Sequence, residues 1–430
     1  MTRPIKQASI VAAFTLMGAG LAFLTQTLAA RSLGPEQYGV FMAAFTLTNI
    51  VSPLAAFGLQ GFWLKSFGRE GWDAMRWIQP TFLFCAISTC ITIVGLAVWA
   101  LIGLGIETPE ALCLLLLSAN LLSVASIEVV STRFLLEERP LPLMIWQTLP
   151  QIARFIAIAG ATYVLVHPTA IAVSGLYAAV ALVLLGASVP SIRALAAGRI
   201  KVAGHEKSGL ARPSEAPSIA NVASETWAFG LGNFFFLVFF QSSVVFISHY
   251  LGPEATATYG IAVTMLTALY ILPTTIYQKM LMPRLHRWAY QDTTAFARAY
   301  RQGNAYMLAL GLAAAASTAL LSQFLIPLFF GTAYSSAATL LAWLAPCIPM
   351  RFVATSAGAI LSTGNRMRTK IKLMAIVAVF NVALNFVLIR EFAMHGAVAA
   401  AIATEAVLVI LYLAAARNSF KSSAIKPSRH

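Results

Sequence analysis

The 430-residue chain is short of charge: Asp, Glu, Lys and Arg make up 10% of it, against 59% apolar residues. A soluble domain carries about 25% charged residues. So few charges cannot cover a water-facing surface, which excludes a soluble enzyme, a nucleic-acid-binding protein and a disordered scaffold. What remains is a polytopic membrane protein whose solvent is mostly lipid. Acidic residues are the scarcer sign, 15 against 29 Lys and Arg, for a net charge of +14. The cations sit in short runs between apolar stretches, as in loops that face anionic lipid, so the excess implies no nucleic-acid partner. Cysteine is rare too. Cys85, Cys90, Cys113 and Cys347 lie inside apolar stretches without CxxC spacing or a neighbouring His, and read as small hydrophobes. Signatures of chemistry are missing: there is no Walker A, HExxH or GxSxG motif and no metal-spaced His/Cys set. The expectation is a non-enzyme with no catalytic residue, metal or organic cofactor.

Long hydrophobic runs dominate what is there. A spanning helix needs about 20 mainly apolar residues. Twelve stretches qualify, near 8–31, 38–64, 79–104, 110–135, 141–165, 168–192, 226–250, 256–283, 302–330, 336–362, 371–390 and 396–416. The first resembles a signal peptide but runs on to about Ala30, long enough to be a retained span. Strands of a barrel would alternate over about ten residues, so continuous helices are expected. With the N-terminus inside, 25 of the 29 Lys and Arg fall in the tails and cytoplasmic loops or at adjoining helix ends. Only Arg31 and Arg390 lie in outside loops. This asymmetry puts both termini in the cytoplasm. The outside loops are too short to fold as domains.

The halves are related. At a shift of 218 residues, Leu33-Gly34-Pro35-Glu36 falls on Leu251-Gly252-Pro253-Glu254, followed by Ala44 on Ala262, Thr46 on Thr264 and Gln60 on Gln278. Gly and Pro suit a tight turn, and Glu suits the first turn of the next helix. The organisation expected is a six-helix lobe over 1–192, a basic Gly/Pro/Ser-rich linker over 193–225, a second lobe over 226–416 and a basic tail over 417–430. Two pseudo-symmetric bundles in parallel repeat, around a central cavity, are a transporter architecture.

Charges inside lipid are costly and face a cavity or a partner. Arg154 lies near the middle of the fifth span after Pro150; Arg351 lies in the tenth after Pro346 and Pro349. They suit a phosphate, which a guanidinium binds bidentately, or a structural ion pair with Glu128 or Glu405. Both carboxylates are also candidates for ion coupling, Glu405 ahead of Glu128. Lys65 and Lys279 sit at the inner ends of the second and eighth spans, where snorkelling or substrate capture explains them. Gln60 and Gln278 are repeat-matched candidates for the cavity wall. Asn381 and Asn385, one turn apart, read as helix glue. Trp63, Trp72, Trp77, Trp227 and Trp288 gather near inner helix ends, as interfacial anchors do.

The segments LGPEQYGVFMAAFTLTNIVSPLAAFGL, LGPEATATYGIAVTMLTALYILPTTIYQKMLMPRLHR and ILSTGNRMRTKIKLMAIVAVFNVALNFVLIREFAMHGAVAAAIATE resemble, in order and spacing, the polysaccharide transporter family. These are the bacterial flippases for lipid-linked O-antigen and exopolysaccharide units. The resemblance implies the multidrug/oligosaccharidyl-lipid/polysaccharide superfamily fold, all-α, with two six-helix lobes about a central cavity. It implies alternating access in the bacterial inner membrane, with or without a proton or sodium gradient. The substrate would be an undecaprenyl-diphosphate-linked oligosaccharide, and the partners membrane lipids and glycan polymerase or assembly proteins. The alternatives are a cation-coupled multidrug or small-molecule antiporter of the same superfamily, which would favour acidic cavity residues, and a lipid-linked peptidoglycan precursor flippase.

Overall fold

The computed structural model describes residues 3–164, 168–202, 216–363 and 366–424. The middle of the expected linker, 203–215, and the end of the tail, 425–430, lie outside them. All regular elements among the described residues are helical. They are α1 (Arg3–Ala56), α2 (Leu59–Glu70), α3 (Ile78–Val98), α4 (Pro109–Leu136), α5 (Pro140–Val164), α6 (Ala170–Ala196), α7 (Ile219–Leu251), α8 (Pro253–Thr274), α9 (Met282–Gln291), α10 (Thr293–Phe330), α11 (Ser335–Leu344), α12 (Cys347–Leu361) and α13 (Met367–Ala424). Among the described residues, seven helical stretches are long and apolar enough to cross a membrane, and the pair α11–α12, bent by 54°, makes an eighth. At 93 and 52 residues, Ala13–Gly105 and Met367–Asn418 are long enough for three crossings and two. With α5 these are the twelve spans expected.

Helix ends follow local chemistry. Thr108 caps α4 and Thr169 caps α6, each side chain accepting a backbone N–H three residues on. Asp292 does the same for α10, and the Ala295 N–H donating to it at 2.8 Å holds its carboxyl below the ordinary value. The two LGPE turns share one backbone geometry: φ 71°, ψ 171° at Gly34 and φ 83°, ψ −176° at Gly252. A positive φ of this kind is open to glycine at no steric cost. The repeat is therefore visible in dihedral angles as well as in letters.

The second span departs from expectation. A continuous helix over 38–64 is interrupted at Phe57 (φ 41°) and Gly58 (φ 76°), so that α1 ends and α2 begins inside the span. A break of this kind survives in lipid only if protein satisfies the freed backbone groups. Here α3 does so for the carbonyls: Ser88 donates to Leu54 O, Thr89 to Ala55 O at 3.0 Å and Cys85 to Ala56 O at 3.5 Å. Gly58 lies hard against α7, where a Cβ would stand 2.5 Å from Phe229 Cβ. The break also corrects the reading of Trp63. It is no interfacial anchor; α2 turns it inward to full burial among Leu59, Phe62, Phe67 and Ile78, edge-on to Phe82.

The chain divides into two units. One comprises 1–33 and 40–237, the other 34–39 and 238–430. In the first, α4 packs along α6, with α3 and α5 beside it. The described flanks of the linker are not loose: Leu195, Ile200, Val202 and Val222 are buried in the same cluster as Trp63. In the second, α12 packs between α10 and α13, and α11 lies against α8 and α10.

Candidate functional site

Among the described residues, each unit carries a guanidinium inside its spans, Arg154 in the first and Arg351 in the second. In the first unit Arg154 projects from α5. Its Nη2 donates to Asn120 Oδ1 of α4 at 3.1 Å, and its guanidinium lies over the Tyr177 ring of α6, 5.1 Å from the centroid. Asn120 is oriented by its own Nδ2, which donates to Leu117 O at 3.0 Å, leaving the amide oxygen for the arginine. Tyr177 is buried edge-on against Phe41 and Phe45 of α1. The Arg154 Nε is buried without a hydrogen-bond partner. Among the described residues no carboxylate stands within ion-pair distance of it. The site is a cation with a neutral amide, a π face and no counter-charge.

The second unit is built differently. Arg351 of α12 forms a buried ion pair with Glu405 of α13. Phe239, Phe240 and Tyr270 surround the guanidinium, with centroids 5.2, 5.1 and 5.4 Å away. The pair sits beside a ladder of amides and hydroxyls. Asn381 Nδ2 donates to Thr404 Oγ1 at 2.9 Å, Ser242 Oγ to Asn381 Oδ1 at 2.7 Å, and Ser243 Oγ to Asn385 Oδ1 at 2.9 Å. The two Asn thus tie α7 to both arms of α13, the gluing role their spacing implied. The desolvated Arg351 charge is balanced within the unit; that of Arg154 is not.

The two arginines are not repeat equivalents. Arg154 stands on the fifth span of its repeat and Arg351 on the fourth of its own. Pro150 leaves α5 unbroken, whereas Arg351 follows the bend at Ala345 and Pro346. Of the other candidates, Glu128 of α4 faces the Gln60 backbone amide in the first turn of α2. It thereby serves the N-terminus that the span break exposes. Lys65 pairs with Glu225 of α7 at 2.8 Å, both half-exposed. Gln278 and Lys279 lie in a wide helical turn, Thr275–Leu281, and their side chains fall outside the described ones. Sequence reasoning missed Asn120, Tyr177 and the Phe239–Phe240–Tyr270 cage. Apolar and amide residues in a span carry no mark of what they touch.

The profile described as polysaccharide biosynthesis protein matches residues 5–288. No curated protein matches the chain. Solved structures do. The lipid II flippase MurJ in an inward closed conformation is 12% identical, with TM-score 0.67, over 96% of this chain and 89% of that one. An inward-facing multidrug resistance MATE family transporter of the MOP superfamily is 12% identical, with TM-score 0.72, over 98% and 100%. A MOP superfamily transporter from Pyrococcus furiosus, described as having a binding pocket of reverse polarity, is 13% identical, with TM-score 0.58, over 98% and 96%. At these identities the likeness is one of fold.

Proposed function

The chain belongs to the polysaccharide biosynthesis protein family, and on that premise we propose that it is a flippase for undecaprenyl-diphosphate-linked oligosaccharide. It moves an O-antigen or exopolysaccharide unit from the cytoplasmic to the outer leaflet of the bacterial inner membrane by alternating access, both termini remaining cytoplasmic. The observation that supports this reading most is Arg154. A buried guanidinium with a neutral amide, a π face and an unused Nε offers a phosphate the missing counter-charge. A drug cation would be repelled at the same place. The driving force in this proposal is a proton or sodium gradient, with Glu405 and Glu128 as the intramembrane carboxylates, and the partners are glycan polymerase or assembly proteins.

The test is gene deletion with plasmid-borne complementation, reading lipid-linked oligosaccharide in the outer leaflet with a membrane-impermeant probe. The wild-type gene restores delivery. Arg154→Ala lowers it by about tenfold or more, the size of one lost charge-assisted contact, while the protein stays folded by size-exclusion profile. Arg154→Lys keeps the charge but loses the fork, and falls between. Normal outer-leaflet delivery in the deletion strain sinks the flippase reading and favours the antiporter. Full activity of Arg154→Ala sinks the site alone.

A further inference from the structure

Lys370 has no part in the reading above. It is the fourth residue of α13, at the end of that helix which the charge pattern assigns to the cytoplasm. Its neighbours Arg368 and Lys372 are exposed, as cations beside water should be. Lys370 turns the other way. The residue is partly buried, and its ammonium is turned toward the C-terminal end of α12. There Nζ donates to Ser362 Oγ at 2.8 Å. Ser362 donates its own proton to Gly358 O at 2.9 Å, so a lone pair faces the ammonium. Gly358 leaves the space: a Cβ there would stand 3.8 Å from Lys370 Cε and 2.9 Å from the Tyr412 ring.

What the site lacks is an anion. Among the described residues no carboxylate stands within ion-pair distance of Lys370. The first turn of α13 contains no acidic residue, and the helix N-terminus adds its own positive potential. A lysine stem near water normally carries its charge outward. Drawing the ammonium partly out of water without a counter-charge is costly, and of its three donors one is used here. We propose that Lys370 and Ser362 bind a phosphate group at this end of the second unit, as the contact by which the substrate's diphosphate is first taken from the inner leaflet. The anion site stands on the geometry; the identity of the phosphate carrier rests on the flippase reading.

The experiment uses the full chain in lipid nanodiscs. Binding of a polyprenyl diphosphate and of inorganic pyrophosphate is measured for wild type, Lys370→Met, Lys370→Arg and the exposed control Lys372→Met. Lys370→Met weakens binding by about tenfold or more, Lys370→Arg retains most of it, and Lys372→Met stays close to wild type. Lys370-dependent binding of pyrophosphate alone identifies the ligand as free phosphate; dependence seen with the lipid identifies the headgroup. Unchanged binding of both probes in Lys370→Met overturns the proposal. Stability separates a ligand site from a structural lysine. Removing an uncompensated, partly buried cation leaves the melting temperature unchanged or raised, and a fall of several degrees overturns the site as well. Normal lipid delivery with Lys370-independent binding removes this site and leaves the flippase standing. Lys370-dependent pyrophosphate binding without lipid delivery does the reverse.

Discussion

Arg154 and Arg351 are one side chain in two electrostatic settings, and the difference dictates opposite responses to substitution. Arg351 and Glu405 are both nearly inaccessible, with side-chain exposures of 7% and 8%. Neutralising one partner strands the other, which costs about 3–5 kcal/mol for a buried pair, whereas replacing both with apolar groups of similar volume is close to neutral. Glu405→Gln is therefore expected to lower the melting temperature sharply, and Arg351→Met with Glu405→Leu to recover it. Thermal unfolding of purified protein checks this; an undisturbed Glu405→Gln would mean that the pair carries no weight. Such residues were legible in the sequence because an ionisable group in a lipid-soluble run is conspicuous. An ion pair with Glu405 or Glu128 was one of two readings open there; which arginine takes which partner, and the Asn120 contact, were not legible. Glu405 lies 54 residues from Arg351 and Asn120 lies 34 from Arg154, and hydropathy carries no information on which helix faces which.

The broken second span is the clearest case at the scale of an element. Hydropathy over 38–64 is continuous, so an unbroken helix was the natural expectation. What decides otherwise is tertiary: three donors of α3, Cys85, Ser88 and Thr89, lie within five residues and take three successive carbonyls, while Phe229 presses on Gly58 and Gly61. A hydroxyl-rich patch in the third span was the available signal, but a Ser or Thr in a span more often bonds its own helix, as Thr92 does to Ser88 O. The LGPE turns, by contrast, were legible in full, because glycine followed by proline encodes the bend locally. Gly58→Ala combines a positive φ with a Cβ 2.6 Å from the Gly230 nitrogen. It is expected to destabilise the protein by about 1–3 kcal/mol. Gly68→Ala, ten residues on, meets nothing within 4 Å and should change stability by less than about 0.5 kcal/mol. Equal melting temperatures for the two variants would show that the break is not enforced by close packing.

The molecule as a whole is the most legible scale, since span number, repeat and charge asymmetry are sums over many residues and tolerate local errors. Fold class and the count of twelve follow from how much apolar chain there is, and both appear in the structure. Orientation has a physical argument of its own. Each repeat contains an even number of spans, so both copies of LGPE enter their second helix from the same side. One bias in Lys and Arg then fixes both repeats, and 25 of 29 cations vote the same way. In an inverted repeat the bias would alternate, and a few charges could tip it. The prediction concerns a version of the chain lacking its four cysteines, with single cysteines introduced at exposed positions and treated with a membrane-impermeant maleimide. Glu107→Cys, between α3 and α4, and Thr332→Cys, between α10 and α11, are labelled in intact cells. Arg139→Cys and Arg301→Cys are labelled only after permeabilisation. The reverse pattern would put the basic loops outside. It would also carry Lys370 and Ser362 to the face opposite the one where a lipid carrier is loaded, so that the phosphate they bind would be met on exit and the direction of transport proposed here would have to be turned around.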